Sequence, residues 1–148
     1  MVDQGYHVVL LEARGTAASA GEIYGTKRWD RDVLAASQEL TRRGATAIVA
    51  GGASLGGTAA ATAAPKIPNL AGLVIFSSPH QDYGAEKPED EMDAIAAVKT
   101  VTKPSFFAVS PGDGEGDAYL NEVPALYKAS GATEKHLETV EGGSTERR

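Results

Sequence analysis

The chain has 148 residues, of which 42% are apolar and 23% are charged, a composition typical of a folded domain. The net charge of -6 argues against nucleic acid or an anionic membrane as a partner, and no apolar run approaches the roughly 20 residues of a membrane-spanning helix. Without cysteine there can be no disulfide, thiolate metal site or cysteine nucleophile. We expect a single domain over residues 1–148, in the cytoplasm because residues 1–11 lack a signal-peptide pattern.

Three elements are predicted in the first third of the chain. Residues 6–12 form a short aliphatic and β-branched run that ends at Arg14 and Gly15, which predicts a buried strand. Residues 28–43 carry apolar side chains at helical spacing, which predicts an amphipathic helix. Residues 46–50 form another apolar run and predict a second strand.

The remaining chain continues to alternate strand and helix patterns. After an alanine-rich helix that ends near Pro65, the predicted strands are residues 72–76, 105–109 and 136–140, and the predicted helices are residues 90–99 and 118–130. Five strands therefore alternate with four helices. Apolar strands in such an alternation are typical of a mostly parallel sheet with helices on both faces. The predicted fold class is α/β.

Residues 52–56 read Gly-Ala-Ser-Leu-Gly and match the G-x-S-x-G motif, which here lies between a predicted strand and a predicted helix. Glycines on either side of Ser54 let strand and helix approach closely, so that the serine hydroxyl is exposed on a strained turn. The backbone N–H of Leu55, at the start of the helix, could donate to a developing oxyanion. The alternative is a turn in which these small residues serve only for packing.

Two other site types are less well supported. Residues 51–58 resemble a phosphate-binding loop, but Gly57 stands where that loop has its lysine, and the glycine spacing does not give G-x-G-x-x-G. The acidic residues between Asp82 and Asp93 fit no calcium-loop spacing. We therefore expect no cofactor and no metal ion.

Together these features resemble the α/β-hydrolase superfamily, and in particular its serine esterases and lipases. Residues 6–15 are similar to the fourth strand and the following Arg-Gly turn of that family, residues 52–56 to its nucleophile elbow, and residues 103–113 to its seventh strand and catalytic acid. The resemblance implies hydrolysis of small carboxylic esters or related acyl compounds. It implies Ser54 as nucleophile and Asp113 as the acid that orients the base.

Other residues near the implied site have weaker assignments. The resemblance implies that the Leu55 N–H is one oxyanion donor. Asp117 is a second candidate for the acid, or else the N-cap of the helix that follows.

The catalytic histidine of the family is missing from its usual place. Thr145 stands there, after the last predicted strand, and a threonine cannot accept a proton near neutral pH. The predicted strands place His7 and His136 away from the carboxyl edge of the sheet. His80, which follows the third strand, remains as a displaced base. We therefore expect little turnover from this chain.

The resemblance also implies three further strands before residue 6, one of which lies between the family's fourth and fifth strands and precedes a loop with the second oxyanion donor. Without that strand, residues 6–12 pair differently or leave an exposed edge that invites self-association. We therefore expect the C-terminal part of a longer fold. Two alternatives remain: a non-catalytic protein of this fold that binds a small acyl ligand or a partner, and a flavodoxin-like domain that binds a small ligand.

Overall fold

The computed structural model describes residues 5–16, 19, 28–82, 90–113 and 117–140. The elements in chain order are α1 (Trp29–Arg42), β1 (Ile48–Ala53), α2 (Leu55–Ala63), β2 (Leu70–Phe76), α3 (Ala94–Val98), β3 (Ser105–Val109), α4 (Tyr119–Ala129) and β4 (Lys135–Thr139). A short 3₁₀ turn, Ala64–Lys66, extends α2. Within these ranges no helix has the length and apolar character that crossing a bilayer requires.

The four strands form one parallel sheet in the order β1-β2-β3-β4, and a helix connects each strand to the next. The α/β prediction is therefore confirmed. Because parallel strands all end at the same edge, the loops that follow β1, β2 and β3 meet along one rim of the sheet. Every candidate site residue that the structure describes, from Ser54 to Asp117, lies in or just after these loops.

The helices cover one face of the sheet. Each helix contacts the next, from α1 through α4, and the core below them is built around Leu73, Ile75 and Phe107. On the other face Val49 and Phe76 are exposed. The sequence predicts helices on both faces, because strand residues of both orientations are apolar. In the part of the chain that the structure describes, helices cover one face only.

The predicted strand at residues 6–12 is not part of the sheet. These residues are irregular and exposed, and Leu10 has 92% of its surface accessible. A strand needs a neighbour for its N–H and C=O groups, whereas a groove of about 340 Å³ separates this segment from β1. The described sheet thus has four strands instead of five, and β1 is an edge strand.

One ion pair holds this irregular segment against α1. The Arg14 backbone N–H donates to Asp32 Oδ2 at 3.0 Å, and the Arg14 guanidinium binds the same carboxylate. The groove between the segment and β1 is lined largely by apolar side chains: Val9, Leu10, Leu11, Trp29, Val33, Leu40 and Val49. An apolar surface of this kind is therefore open beside the sheet edge.

Two element boundaries differ from the prediction by three residues or more. β1 extends to Ala53 because residues 51–53 continue to pair with β2. α3 begins only at Ala94: Asp93 has an extended backbone, and its carboxylate accepts a hydrogen bond from Ala96 N at 2.9 Å, which caps the helix at that point.

Candidate active site

Ser54 occupies a sharp turn between β1 and α2. Its φ of 52° lies in the left-handed region, which is unusual for a residue with a side chain. The Ser54 N–H donates to the carbonyls of Phe76 and Ser77, both at 3.1 Å, so the turn is attached to the end of β2. The residue is exposed. This backbone presents a serine hydroxyl to solvent at the rim of the sheet.

Two of the glycines around this turn are required by close contacts. A Cβ on Gly52 would lie 2.5 Å from the carbonyl carbon and oxygen of Gly56, and a Cβ on Gly57 would lie 2.0 Å from Ser78 Oγ. A Cβ on Gly56 would meet nothing within 4 Å. The expectation that glycines let strand and helix approach therefore holds for Gly52. For Gly56 the space is open, and this residue lines the groove beside β1.

Leu55 begins α2, and its backbone N–H has no acceptor among the residues that the structure describes. The Ser54 carbonyl accepts from Gly57 N at 2.9 Å and from Thr58 N at 3.3 Å, which closes the first turn. The first N–H groups of a helix carry a partial positive charge. The Leu55 N–H next to the Ser54 hydroxyl is therefore able to bind an anionic oxygen.

The hydroxyl of Ser54 has a partner that the sequence did not indicate. Ser54 Oγ lies 3.2 Å from the hydroxyl oxygen of Tyr119, and either hydroxyl can be the donor. Tyr119 is the first residue of α4, 65 positions further along the chain. The sequence shows only that a tyrosine follows the loop that contains Asp113. Tyrosines at the start of a helix are too common for this to identify a site residue.

Asp113 lies at the same rim, next to the turn. Its carboxylate accepts a hydrogen bond from Ser77 Oγ, and Ser77 in turn accepts the Ser54 N–H with its carbonyl. Ser77 also has a positive φ, of 39°. The structure therefore brings the predicted nucleophile and the predicted acid together through one residue, Ser77, that the sequence analysis did not single out.

Asp117 is not the N-cap of α4, which was one of its two predicted roles. α4 is preceded by Ala118 and has no side-chain cap. The Asp117 carboxylate instead accepts a hydrogen bond from Gly112 N at 2.6 Å and so closes the loop around Asp113. Asp117 itself has a left-handed backbone, with φ of 59°.

His80 follows β2 in a segment with several anchors. Its backbone N–H donates to Glu122 Oε2 at 2.7 Å, its carbonyl accepts from Ala94 N at 2.9 Å, and the neighbouring Pro79 carbonyl accepts from Thr58 Oγ1 at 2.6 Å. The His80 Nδ1 atom lies 3.2 Å from the same Glu122 oxygen. The Nδ1 side of the imidazole thus lies next to a carboxylate of α4, one helical turn beyond Tyr119.

The other residues named from the sequence lie apart from this rim or outside the described structure. His136 is in β4, where its ring stacks on Phe106 with centroids 5.5 Å apart. His7 is exposed in the irregular segment at residues 6–13. Thr145 lies outside the described residues. Across the described ranges no group of three or more histidine, aspartate or glutamate side chains is arranged to hold a metal ion.

A family model described as serine aminopeptidase, S33, matches residues 1–116. None of the curated protein sequences matches the chain significantly.

Several solved structures share the fold. The esterase domain of a Rhodothermus marinus protein has a TM-score of 0.61 at 16% identity, over 82% of this chain and 59% of that one. A structure from a study of the metagenome-derived lipolytic enzymes LipS and LipT has a TM-score of 0.56 at 18% identity, over 79% of this chain and 64% of the other. The monoacylglycerol lipase of Paleococcus ferrophilus has a TM-score of 0.55 at 11% identity, over 80% of this chain and 66% of the other.

The chain spans less than two thirds of the length of these solved structures. At such low identity the structures support the fold alone, while the family model covers well over half of the chain. The flavodoxin-like alternative is therefore set aside. By its sequence match and its parallel α/β architecture, this chain belongs to the serine aminopeptidase S33 family of the α/β-hydrolase superfamily.

Proposed function

We propose that this chain is a serine-hydrolase domain that attacks carboxylic esters or related acyl compounds with Ser54, and that its turnover is impaired. The observation that supports this most is the turn at Ser54, where an exposed hydroxyl sits on a residue with φ of 52° directly before α2. In this proposal the turn is a nucleophile elbow. Strained backbone of this kind is concentrated at functional sites, because a turn that only packs has no need of it.

The neighbouring groups have matching roles in this proposal. The Leu55 N–H, at the positive end of α2, stabilises the oxyanion that forms when Ser54 attacks the acyl carbon. Asp113 is the acid of the site, and its hydrogen bond from Ser77 keeps it beside the elbow.

His80 is the displaced base in this proposal. It lies three residues after Ser77, at the same rim, but its Nδ1 atom is 3.2 Å from a Glu122 oxygen. A carboxylate beside Nδ1 leaves Nε2, the other ring nitrogen, as the atom that accepts the Ser54 proton. Slow turnover is expected because Thr145, which stands where the family has its histidine, cannot accept a proton near neutral pH.

The test is labelling with a fluorophosphonate probe followed by mass mapping of the modified residue. We expect modification at Ser54, none in Ser54→Ala, and unchanged modification in Ser110→Ala, which removes another serine at the same rim. Absence of labelling in protein with a cooperative thermal transition contradicts the proposal, because an activated serine reacts with this probe whatever its natural substrate.

The role of His80 has a separate test. If it is the base, His80→Ala slows labelling of Ser54 by about 10²-fold, the usual contribution of a general base. His136→Ala is the matched control, because it removes an imidazole that stacks on Phe106 in β4. Equal labelling rates in wild type and His80→Ala exclude His80 as the general base and leave solvent water as the proton acceptor.

A second candidate function is non-catalytic, namely assembly with a second copy of this chain. It is favoured by the open edge of β1, where Val49 has 62% of its surface accessible beside an apolar groove of about 340 Å³. A free sheet edge with apolar side chains is a template for pairing with another strand. Folded protein that self-associates and is not labelled at Ser54 supports this candidate over the hydrolase.

A further inference from the structure

We propose that the Tyr119 hydroxyl is a catalytic group that donates a hydrogen bond to the substrate's acyl oxygen when Ser54 attacks. The observation behind it is the 3.2 Å distance between the Tyr119 hydroxyl oxygen and Ser54 Oγ. The inference rests on the proposed function of Ser54. It extends that function by giving the oxyanion a second donor, in addition to the Leu55 N–H.

The packing of Tyr119 fixes where its hydroxyl lies. The side chain is half buried and packs against the main hydrophobic core, and its hydroxyl lies beside Ser54 at the rim. It also begins α4, so its backbone is held by the first turn of that helix. A donor whose position is set by the core requires little reorganisation when the substrate reacts, and this is the condition for electrostatic catalysis.

The oxyanion forms within reach of this hydroxyl. Once Ser54 Oγ has bonded to the acyl carbon, Oγ and the oxyanion are attached to the same carbon atom. A donor that is within hydrogen-bonding distance of Oγ in the free protein needs only to rotate its O–H bond to meet the oxyanion. The Leu55 N–H approaches from the start of α2 and Tyr119 from the start of α4. Two donors on different elements can therefore bind one oxygen.

In the proposed step the Ser54 proton passes to a solvent water, or to Nε2 of the His80 imidazole. A bond forms between Oγ and the acyl carbon, and the π electron pair of the carbonyl moves onto oxygen. That oxygen accepts hydrogen bonds from Leu55 N–H and Tyr119 O–H. When the intermediate collapses, the alkoxide leaving group departs with its bonding pair and takes up a proton from water. Ser54 is exposed, so water can reach both proton-transfer steps.

The experiment compares the rates at which Ser54 is labelled by a fluorophosphonate in wild type, Tyr119→Phe and Tyr127→Phe. Tyr119→Phe keeps the aromatic ring and removes only the hydroxyl, and we expect labelling at least 10²-fold slower, the usual effect of losing one oxyanion donor. Tyr127 is on the same helix, with its ring against Phe107. Tyr127→Phe should therefore label at the wild-type rate, and thermal unfolding should show all three proteins folded.

A second readout separates oxyanion binding from a structural role. Acylation by 4-nitrophenyl acetate is compared with acylation by its thiono analogue, whose sulfur accepts hydrogen bonds weakly. Loss of an oxyanion donor should slow the oxygen ester much more than the thiono ester. A structural defect at the elbow should slow both equally.

The outcomes are distinguishable. If the wild type is not labelled at Ser54, the proposed function fails and this inference fails with it. If wild type and Tyr119→Phe are labelled at equal rates, the proposed function stands and the inference about Tyr119 is wrong. Equal slowing of the oxygen and thiono esters also overturns the donor role.

Discussion

Ser77 Oγ donates a hydrogen bond to the carboxylate of Asp113, across the ends of the adjacent strands β2 and β3. The Ser77 carbonyl meanwhile accepts the Ser54 N–H at 3.1 Å. One residue with a left-handed backbone therefore links the turn that carries the serine to the loop that carries the acid. The geometry of the rim depends on this link as much as on the two residues that resemble a catalytic pair.

Replacing Ser77 with alanine should release the Asp113 carboxylate. Loss of a hydrogen bond to a carboxylate is expected to lower the free energy of unfolding by about 1–2 kcal/mol and to slow fluorophosphonate labelling of Ser54. The control is Ser78→Ala, which removes a buried hydroxyl that donates to the Phe76 carbonyl at 2.8 Å but leaves Asp113 in place. A Ser77→Ala protein with wild-type labelling would show that Asp113 need not be held there.

The glycines around Ser54 should differ sharply in their tolerance of a methyl group. Gly52→Ala puts Cβ 2.5 Å from the Gly56 backbone, so we expect a loss of about 3 kcal/mol or more in the free energy of unfolding, together with loss of labelling. Gly56→Ala meets nothing within 4 Å and should fold normally. Urea unfolding of the two variants measures the difference. Similar stability in both would contradict the tight approach of β1 and α2.

Asp30 should contribute to stability in a pH-dependent way. It is fully buried at the start of α1, where Arg28 donates to it at 2.8 and 2.7 Å. Burial opposes ionisation, but the hydrogen bonds and charge of Arg28 outweigh it and keep the pKa of Asp30 below its ordinary value. Asp30→Asn removes the buried charge to which Arg28 donates, which we expect to cost about 3 kcal/mol near neutral pH.

The sign of the pH dependence follows from the lowered pKa. The stabilisation by Asp30 is fully present above the unfolded-state pKa, about 3.9, and is lost as the pH falls through the lower pKa of the folded state. Free energies of unfolding measured from pH 7 to pH 3 should therefore fall steeply below about pH 4 in wild type. They should fall less in Asp30→Asn.

Glu39 provides a control for this titration. Hydrogen bonds from Arg42 and Arg43 lower the pKa of Glu39 to about 2, but the carboxylate is exposed to solvent, which screens its interactions. Glu39→Gln should therefore follow the wild-type pH curve. If Asp30→Asn also follows the wild-type curve, the buried pair of Arg28 and Asp30 does not carry the acid sensitivity.

The open edge of β1 should promote self-association. If a second copy pairs there, sedimentation velocity will show a concentration-dependent dimer. Val49→Lys, a charge on the edge strand, should weaken the dimer by about tenfold or more. Val140→Lys is the control, because Val140 is also half exposed but follows β4, at the opposite edge of the described sheet from β1. A protein that is monomeric at every concentration contradicts this second candidate function.

Periodicity and local motifs were enough to predict the alternation of α1 to α4 with β1 to β4, because each element is specified by residues a few positions apart. The same local reasoning failed for residues 6–12, where an apolar run has strand character but no neighbour. Hydrogen bonding between strands is a tertiary property. A strand pattern in the sequence therefore predicts a tendency to pair, and only the sheet itself decides whether pairing occurs.

The sequence by itself determined the α/β class, the family, and the candidates Ser54 and Asp113, since these depend on motifs whose residues are neighbours in the chain. Only the tertiary structure decided which groups surround them: Ser77 between the two, and Tyr119 on the Ser54 hydroxyl from 65 residues away. The physical reason is that such contacts are made where loops from different strands converge. Their positions follow from the packing of α2 and α4 on the sheet, which no short segment of sequence encodes.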